Sequence, residues 1–152
     1  MTFKLDRFIS NYIIQRAKSL FYMDILSNSS RLLEKVNNKS ILIIGGAGSI
    51  GTSFIKAILP FRPRTLIVVD INENALAELT RDLRSTKDLF VPDDYITYPM
   101  DFASPVFEKM FRKHEGFDIV ANFSAHKHVR SEKDIYSIEA LLQNNVLHAK
   151  RL

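Results

Sequence analysis

The chain has 152 residues, 46% hydrophobic and 25% charged, a balance that excludes a disordered, collagen-like or low-complexity polypeptide. It contains no cysteine, which excludes a disulfide scaffold, a thiol nucleophile, an iron–sulfur site and a cysteine-type zinc site. The net charge is 21 − 17 = +4; residues 1–40 hold seven basic side chains against three acidic ones, so the whole excess lies there and residues 41–152 are neutral.

Residues 1–39 read as a helical arm. Ile9, Ile13, Ala17 and Phe21 recur every four residues, with Phe8, Tyr12 and Leu20 beside them, and this spacing predicts an amphipathic helix. Asn11, Gln15, Arg16 and Lys18 interrupt any apolar core, so the segment is not a secretory signal. No apolar run reaches the ~18 residues that a membrane-spanning helix needs. The arm is expected to pack on its own domain or a sister subunit; the alternatives are a weak contact with a membrane surface and a poorly ordered lead-in. A nucleic-acid-binding fold carries its basic patch on the folded body, so no nucleic-acid partner is expected. A second short helix is predicted over Ser30–Val36, and Asn37-Asn38-Lys39-Ser40 marks a turn and a domain boundary.

From Ser40 onward, strands alternate with helices. Ile41–Ile44 is a wholly apolar run, as expected of a strand buried on both faces. Ser49–Leu59 is predicted helical and is stopped by Pro60. Thr65–Val69 is the second strand and Asn72–Arg84 the second helix, with Leu76, Leu79 and Leu83 inward. Tyr95–Tyr98 is the third strand. Ser104-Pro105 starts a helix that runs to about Lys113, since serine caps free N–H groups and proline tolerates the first helical position. Asp118–Phe123 is the fourth strand and Ser137–Leu152 the fourth helix of this body. Strands separated by helices of this length imply βαβ units and a parallel sheet.

The sharpest motif is Gly45-Gly46-Ala47-Gly48-Ser49-Ile50-Gly51, placed between the first strand and the first helix of the body. Four of the chain's five glycines fall within these seven residues, which argues against a merely tight connection. Gly45 or Gly46 permits the turn, Gly48 lets backbone approach a pyrophosphate, and Gly51 lets the helix pack closely. The helix start aims N–H groups and a partial positive charge at the phosphates. Thr52 stands where an ATP/GTP P-loop needs lysine, so that motif is excluded.

Asp70 ends the second strand, nineteen residues beyond Gly51. A carboxylate there can accept both ribose hydroxyls of an adenosine and would repel a 2′-phosphate, so NAD is favoured over NADP; the alternative is a plain helix cap. Asp101 and Phe102 end the third strand and could read an adenine edge, the alternative being a turn aspartate. Asn122, Ser124 and Ala125 lie at the end of the fourth strand, on the rim where open α/β sheets bind ligands. Lys127, His128 and Arg130 follow. Lys127 and Arg130 could meet the pyrophosphate of a nucleotide sugar, or form a solvated loop; His128 more simply bonds within the loop. His126 and His128 lack a third-ligand pattern, so no metal is expected. Asn145 lies mid-helix, where its carboxamide can bond to the neighbouring strand end.

Taken together, ILIIGGAGSIG (41–51), IVVDINENALAEL (67–79), MDF (100–102), IVANFSAHKHVRSE (119–132) and NNV (144–146) resemble the nucleotide-binding half of extended short-chain dehydrogenases/reductases. The resemblance is strongest to the polysaccharide-biosynthesis (CapD-like) group of sugar-nucleotide 4,6-dehydratases and epimerases, and covers about residues 30 to 152. It implies a three-layer α/β Rossmann-type parallel sheet with strand order 3-2-1-4, here incomplete, spanning residues 40–152 behind the arm. It places Gly45, Gly48 and Gly51 at a pyrophosphate, Asp70 at the ribose, Asp101 and Phe102 at the adenine, and Asn122, Ser124 and Ala125 beside the cofactor, with Asn145-Val146 as the helix asparagine motif. The chain departs from the family at His148-Ala149, where Gly-Thr is usual, and at Ser124-Ala125, where Ala-Ala is usual.

The implied reaction runs on a UDP-N-acetyl-hexosamine: the sugar C4 hydride passes to the nicotinamide, water leaves across C5–C6, and the hydride returns to C6. The group catalyses through a Tyr-or-Met-x-x-x-Lys segment and a Ser/Thr-Asp-Lys segment, both of which would fall after Leu152. The chain therefore reads as the amino-terminal part of a longer cytoplasmic enzyme that forms homo-oligomers. On that expectation the chain alone does not turn over, and its fourth strand is an apolar sheet edge prone to self-pairing. The alternatives are a non-catalytic nucleotide-sensing Rossmann module and an interaction protein with a vestigial cofactor site.

Overall fold

The computed structural model describes residues 5–16, 18–127 and 134–152. The chain divides into two compact units between Glu34 and Lys35. In the first unit, α1 (Leu5–Phe8) runs into a π-helical turn, Ile9–Ile13, and α2 (Tyr22–Ser27) follows. The continuous helix predicted from the apolar stripe is thus broken, and Gln15 sits in the left-handed region at φ 50°. Ser10, Asn11, Tyr12, Ile13 and Ile14 are all poor helix formers, and isolated helices shorter than about 12 residues are marginal without tertiary packing. A further helix, α3, spans Ser29–Val36.

The second unit alternates strand and helix. It comprises β1 (Ser40–Ile44), α4 (Ser49–Ile58), β2 (Thr65–Asp70), α5 (Glu73–Ser85), β3 (Asp94–Pro99), α6 (Pro105–Lys113), β4 (Ile119–Asn122) and α7 (Ile135–Leu142). The four strands form one sheet in the order β3-β2-β1-β4, and every pairing is parallel. Register is set at the start of β1, where Ile41 lies opposite Leu66 on one side and Ile119 on the other. This is the three-layer, incomplete Rossmann-type architecture expected from the alternation of elements.

Side-chain alternation along the strands sorts the core into two layers. Ile41, Ile43, Leu66 and Val68 pack with Ile55, Ile58, Leu76, Leu79 and Leu83 from α4 and α5. Leu42, Ile44, Ile67 and Val69 pack on the opposite face with Phe102, Phe107 and Met110. β1 and the apolar part of β2 are buried along their length, which is why both read as continuous apolar runs. In contrast, β4 is an edge, and Val120 is 39% exposed.

Helix starts follow their caps. Asn72 accepts from the Ala75 N–H at 3.0 Å, and Ser104 accepts from the Phe107 N–H at 3.2 Å, as the Ser-Pro pair predicts. The last helix begins earlier than expected, because Asp134 caps it through the Ser137 N–H at 2.9 Å. It also loses regular α geometry after Leu142, where Gln143–His148 is π-helical and Ala149–Arg151 forms a 3₁₀ turn.

Asp118 ties the foot of the sheet together. Its carboxylate accepts from the Ser40 N–H at 2.8 Å and from the Lys39 ammonium at 3.2 Å. The Ser40 N–H first, and then Lys39, hold the carboxyl below the ordinary carboxylate value. A carboxyl depressed in the folded state contributes stability above its unfolded pKa of about 3.9 and loses it as pH falls through the folded value. Asp118→Asn is therefore expected to flatten the fall in melting temperature below about pH 4, read by thermal melts from pH 7 to pH 3.

Candidate functional site

The site is built where β1 turns into α4. Gly45 adopts φ +70°, and its N–H donates to the Val69 carbonyl at 2.8 Å. A Cβ on Gly45 would lie 2.5 Å from the Ser124 nitrogen, so the loop after β4 passes directly against the turn. A Cβ on Gly46 would lie 2.3 Å from Val68 Cγ1, and one on Gly51 would lie 2.4 Å from the Gly45 oxygen. Gly51 thus packs on the glycine turn itself. These three glycines are required by the protein's own packing.

Gly48 differs. It is the N-cap of α4 with ordinary extended backbone, φ −72° and ψ 165°, and no side-chain cap. A Cβ there would meet only the Gly45 oxygen, at an ordinary 3.5 Å. Among the described residues nothing stands close enough to exclude a side chain from this position, which borders an open cleft.

The cleft has a volume of about 280 Å³ and lies at the carboxyl ends of all four strands, at the point where the strand order reverses beside β1. Gly45, Gly48, Asp70, Asp101, Phe102, Ser124 and Ala125 all line it. Asp70 bridges two elements: one carboxylate oxygen accepts from the Ala47 N–H and the other from the Asn72 N–H, both at 3.0 Å. A carboxylate offers about four lone-pair sites, so two remain for a ligand. Asp101 accepts from the Ala103 N–H at 2.9 Å, and Phe102 is buried against Phe107.

The remaining sequence-predicted residues lie elsewhere. Gly46 and Gly51 support the turn from beneath, while Ser49 and Ile50 are exposed on the first turn of α4. Asn122 acts through its neighbour, with its carboxamide oxygen accepting from both the N–H and the hydroxyl of Ser124 at 2.9 and 2.8 Å. Lys127 is exposed and does not line the cleft. His128 and Arg130 lie outside the described residues.

Asn145 does bond to the strand-end segment. It accepts from the His126 N–H at 2.8 Å and donates to the His126 carbonyl at 3.1 Å. Sequence reasoning missed Ile71, Met100, His126 and Asn144 as lining residues. Ile71 directly follows Asp70 and is 77% exposed; an apolar residue on a polar rim was the available signal. Among the described residues, no cluster of three or more His, Asp or Glu could hold a metal ion.

The family model described as polysaccharide biosynthesis protein matches residues 41–152. The chain belongs to this family. A stretch of 50 residues, 33% of the chain, is 52% identical to an uncharacterized membrane protein of Methanocaldococcus jannaschii, of which it covers 15%. The chain is also 27% identical over 123 residues to the capsular polysaccharide biosynthesis protein CapD of Staphylococcus aureus, covering 78% of itself and 19% of that protein. It therefore spans less than a fifth of the length of either relative.

Two solved structures share the fold. The Bordetella bronchiseptica enzyme WbmF in complex with NAD+ has a TM-score of 0.54 and 22% identity, over 78% of this chain and 31% of its own. The UDP-N-acetylglucosamine 4-epimerase of Methanobrevibacter ruminantium, in complex with UDP-N-acetylmuramic acid, has a TM-score of 0.54 and 18% identity, over 77% and 33%. No helix among the described residues is long and apolar enough to cross a membrane.

The contrast between glycines is directly testable. Gly51→Ala forces a Cβ into backbone and is expected to destabilise the fold by about 1–3 kcal/mol. Gly48→Ala meets no such contact and should cost only about 0.5–1 kcal/mol, the margin by which alanine is a poorer N-cap than glycine. Denaturant melts of the two variants measure the difference.

Proposed function

We propose that the chain is the dinucleotide-binding part of a sugar-nucleotide 4,6-dehydratase or epimerase of polysaccharide biosynthesis, with NAD as its cofactor and a UDP-N-acetyl-hexosamine as the substrate of the whole enzyme. The observation that carries this reading is Gly48, bare of a side chain at the start of a helix, open to the cleft and not crowded by any neighbour among the described residues. Family membership supports the biosynthetic context and argues against a nucleotide-sensing module. The NAD+ complex of WbmF and the sugar-nucleotide complex of the epimerase show that proteins of this fold take such ligands.

Each residue has a physical task in this reading. The first N–H groups of α4 lack intrahelical acceptors, and with the helix dipole they attract the pyrophosphate that Gly48 lets approach. Asp70, with its remaining lone pairs, accepts the ribose hydroxyls and repels a 2′-phosphate. Asp101 and Phe102 bound the adenine end, and Ser124 and Ala125 leave room for the nicotinamide ribose. Bound NAD supplies reversible acceptance of a hydride from a sugar carbon, while the protein supplies orientation and electrostatics. The positive charges of Lys127 and Arg130, in the segment after β4, are proposed to serve the pyrophosphate of the sugar nucleotide, with His128 between them in sequence. The catalytic tyrosine-and-lysine segment of the group has no counterpart among residues 1–152, so the chain alone binds without turnover.

Calorimetric titration with NAD, NADP and UDP-N-acetylglucosamine tests the proposal. NAD is expected to bind more tightly than NADP, and Asp70→Ala to narrow that difference. An added methyl at a close ligand approach costs about 1–3 kcal/mol, so Gly48→Ala should weaken NAD about tenfold to a hundredfold while the fold stays intact. A folded chain that ignores both dinucleotides, or dehydratase turnover by residues 1–152 alone, would contradict this reading.

A further inference from the structure

We propose that His148 is a positioning residue that sets the base selectivity of the cleft. It holds the ring of Phe102, and through it the strand end that meets the purine of a bound dinucleotide. This rests on the reading of the cleft as a dinucleotide site in which Asp101 and Phe102 bound the adenine end.

The π-helical stretch Gln143–His148 reaches both walls of the cleft. Asn144 lines the cleft itself. On the β4 side, Asn145 is bonded to both backbone groups of His126, at 2.8 and 3.1 Å. On the β3 side, His148 meets Phe102, with ring centroids 6.2 Å apart and planes at 83°. Residues three apart are neighbours on a helix surface, so Asn145 and His148 act from one short stretch. Two hydrogen bonds pin that stretch at Asn145, and the pinning fixes where the imidazole is delivered.

The ring of Phe102 has a second aromatic neighbour. Phe107 stands 6.4 Å away with its plane at 87°, and both rings belong to the core layer that also holds Met110. Near-perpendicular contacts at these distances are a favoured geometry for aromatic rings. One such contact leaves a ring room to turn, whereas two fix its plane. Asp101 directly precedes Phe102 and accepts from the Ala103 N–H at 2.9 Å. Its carboxylate therefore sits on the same short turn, and a shift of Phe102 moves it. An ionised carboxylate only accepts hydrogen bonds, so a fixed Asp101 favours a purine with an amino group at position 6 over one with an oxo group there. Glycine is usual in the polysaccharide-biosynthesis group where this chain has His148, and glycine offers no ring. The contact with Phe102 is thus a property of this chain.

Calorimetric titration of the whole chain with NAD and with nicotinamide hypoxanthine dinucleotide, which carries the 6-oxo group, tests this. The unaltered chain is expected to prefer NAD. His148→Ala removes the ring contact and should weaken NAD about threefold to tenfold, narrowing the preference by a similar factor. His148→Leu fills the space without a ring and should behave as the alanine variant does. His148→Phe keeps a ring and should restore both the affinity and the preference. Thermal melts of the three variants separate this from a purely structural role, which would lower the melting temperature and leave the ratio of the two affinities unchanged. An unchanged ratio in both the alanine and leucine variants overturns the inference while NAD binding stands. Equal binding of the two dinucleotides by the unaltered chain, or a phenylalanine variant no better than alanine, overturns it as well. A folded chain that binds neither dinucleotide overturns the dinucleotide reading itself, and this inference with it.

Discussion

The glycine turn packs backbone against backbone, on itself and on the loop that leaves β4. A Cβ on Gly45 would lie 2.5 Å from the Ser124 nitrogen and one on Gly51 2.4 Å from the Gly45 oxygen. β1, α4 and the end of β4 are therefore locked together by the absence of side chains. The turn also hangs on β2, through the Gly45 N–H to the Val69 carbonyl and the Ala47 N–H to Asp70. Three strands thus converge on seven residues. The cleft is the space left over once those contacts are made, and this is why it opens at the strand ends and not on a helix face.

Asp70 links packing to chemistry. It reaches back to the glycine turn and forward to the start of α5, holding Ala47 and Asn72 at the same distance. A carboxylate used in this way is already oriented before any ligand arrives. Replacing it changes the shape of the turn as well as the charge of the cleft. A carboxamide would keep one acceptor oxygen and lose the other, so the turn and α5 could not both remain held.

Where burial is complete, sequence and structure agree most closely. β1 and β2 lie under helices on both faces, so their apolar runs could only be central parallel strands. The glycine spacing and the acidic strand end were legible because each answers a local constraint. The arm was not. A stripe repeating every four residues shows which side chains would share a face, but gives no partner for that face, and the run from Ser10 to Ile14 does not sustain a helix alone. The end of the chain was misjudged for another reason. Periodicity cannot see that the segment after Leu142 widens to a π-helical turn, which lies where Asn145 reaches the backbone of His126. Irregular turns of this kind occur where a side chain has a task outside the helix.

The wall of the cleft on the β4 side is consequently fixed at three successive points. Asn122 holds the N–H and hydroxyl of Ser124, Gly45 abuts the Ser124 backbone, and Asn145 satisfies both backbone groups of His126. On the β3 side, Asp101 fixes its own turn through Ala103, and Phe102 is wedged between Phe107 and His148. Ile71, between these walls, is left exposed. A pocket with both walls tied down costs little ordering free energy when a ligand enters. Its selectivity then depends on what the fixed groups accept. With two carboxylates on the β2 and β3 rims and N–H groups at the start of α4, the arrangement suits a ligand that carries hydroxyls at one end and negative charge in its middle.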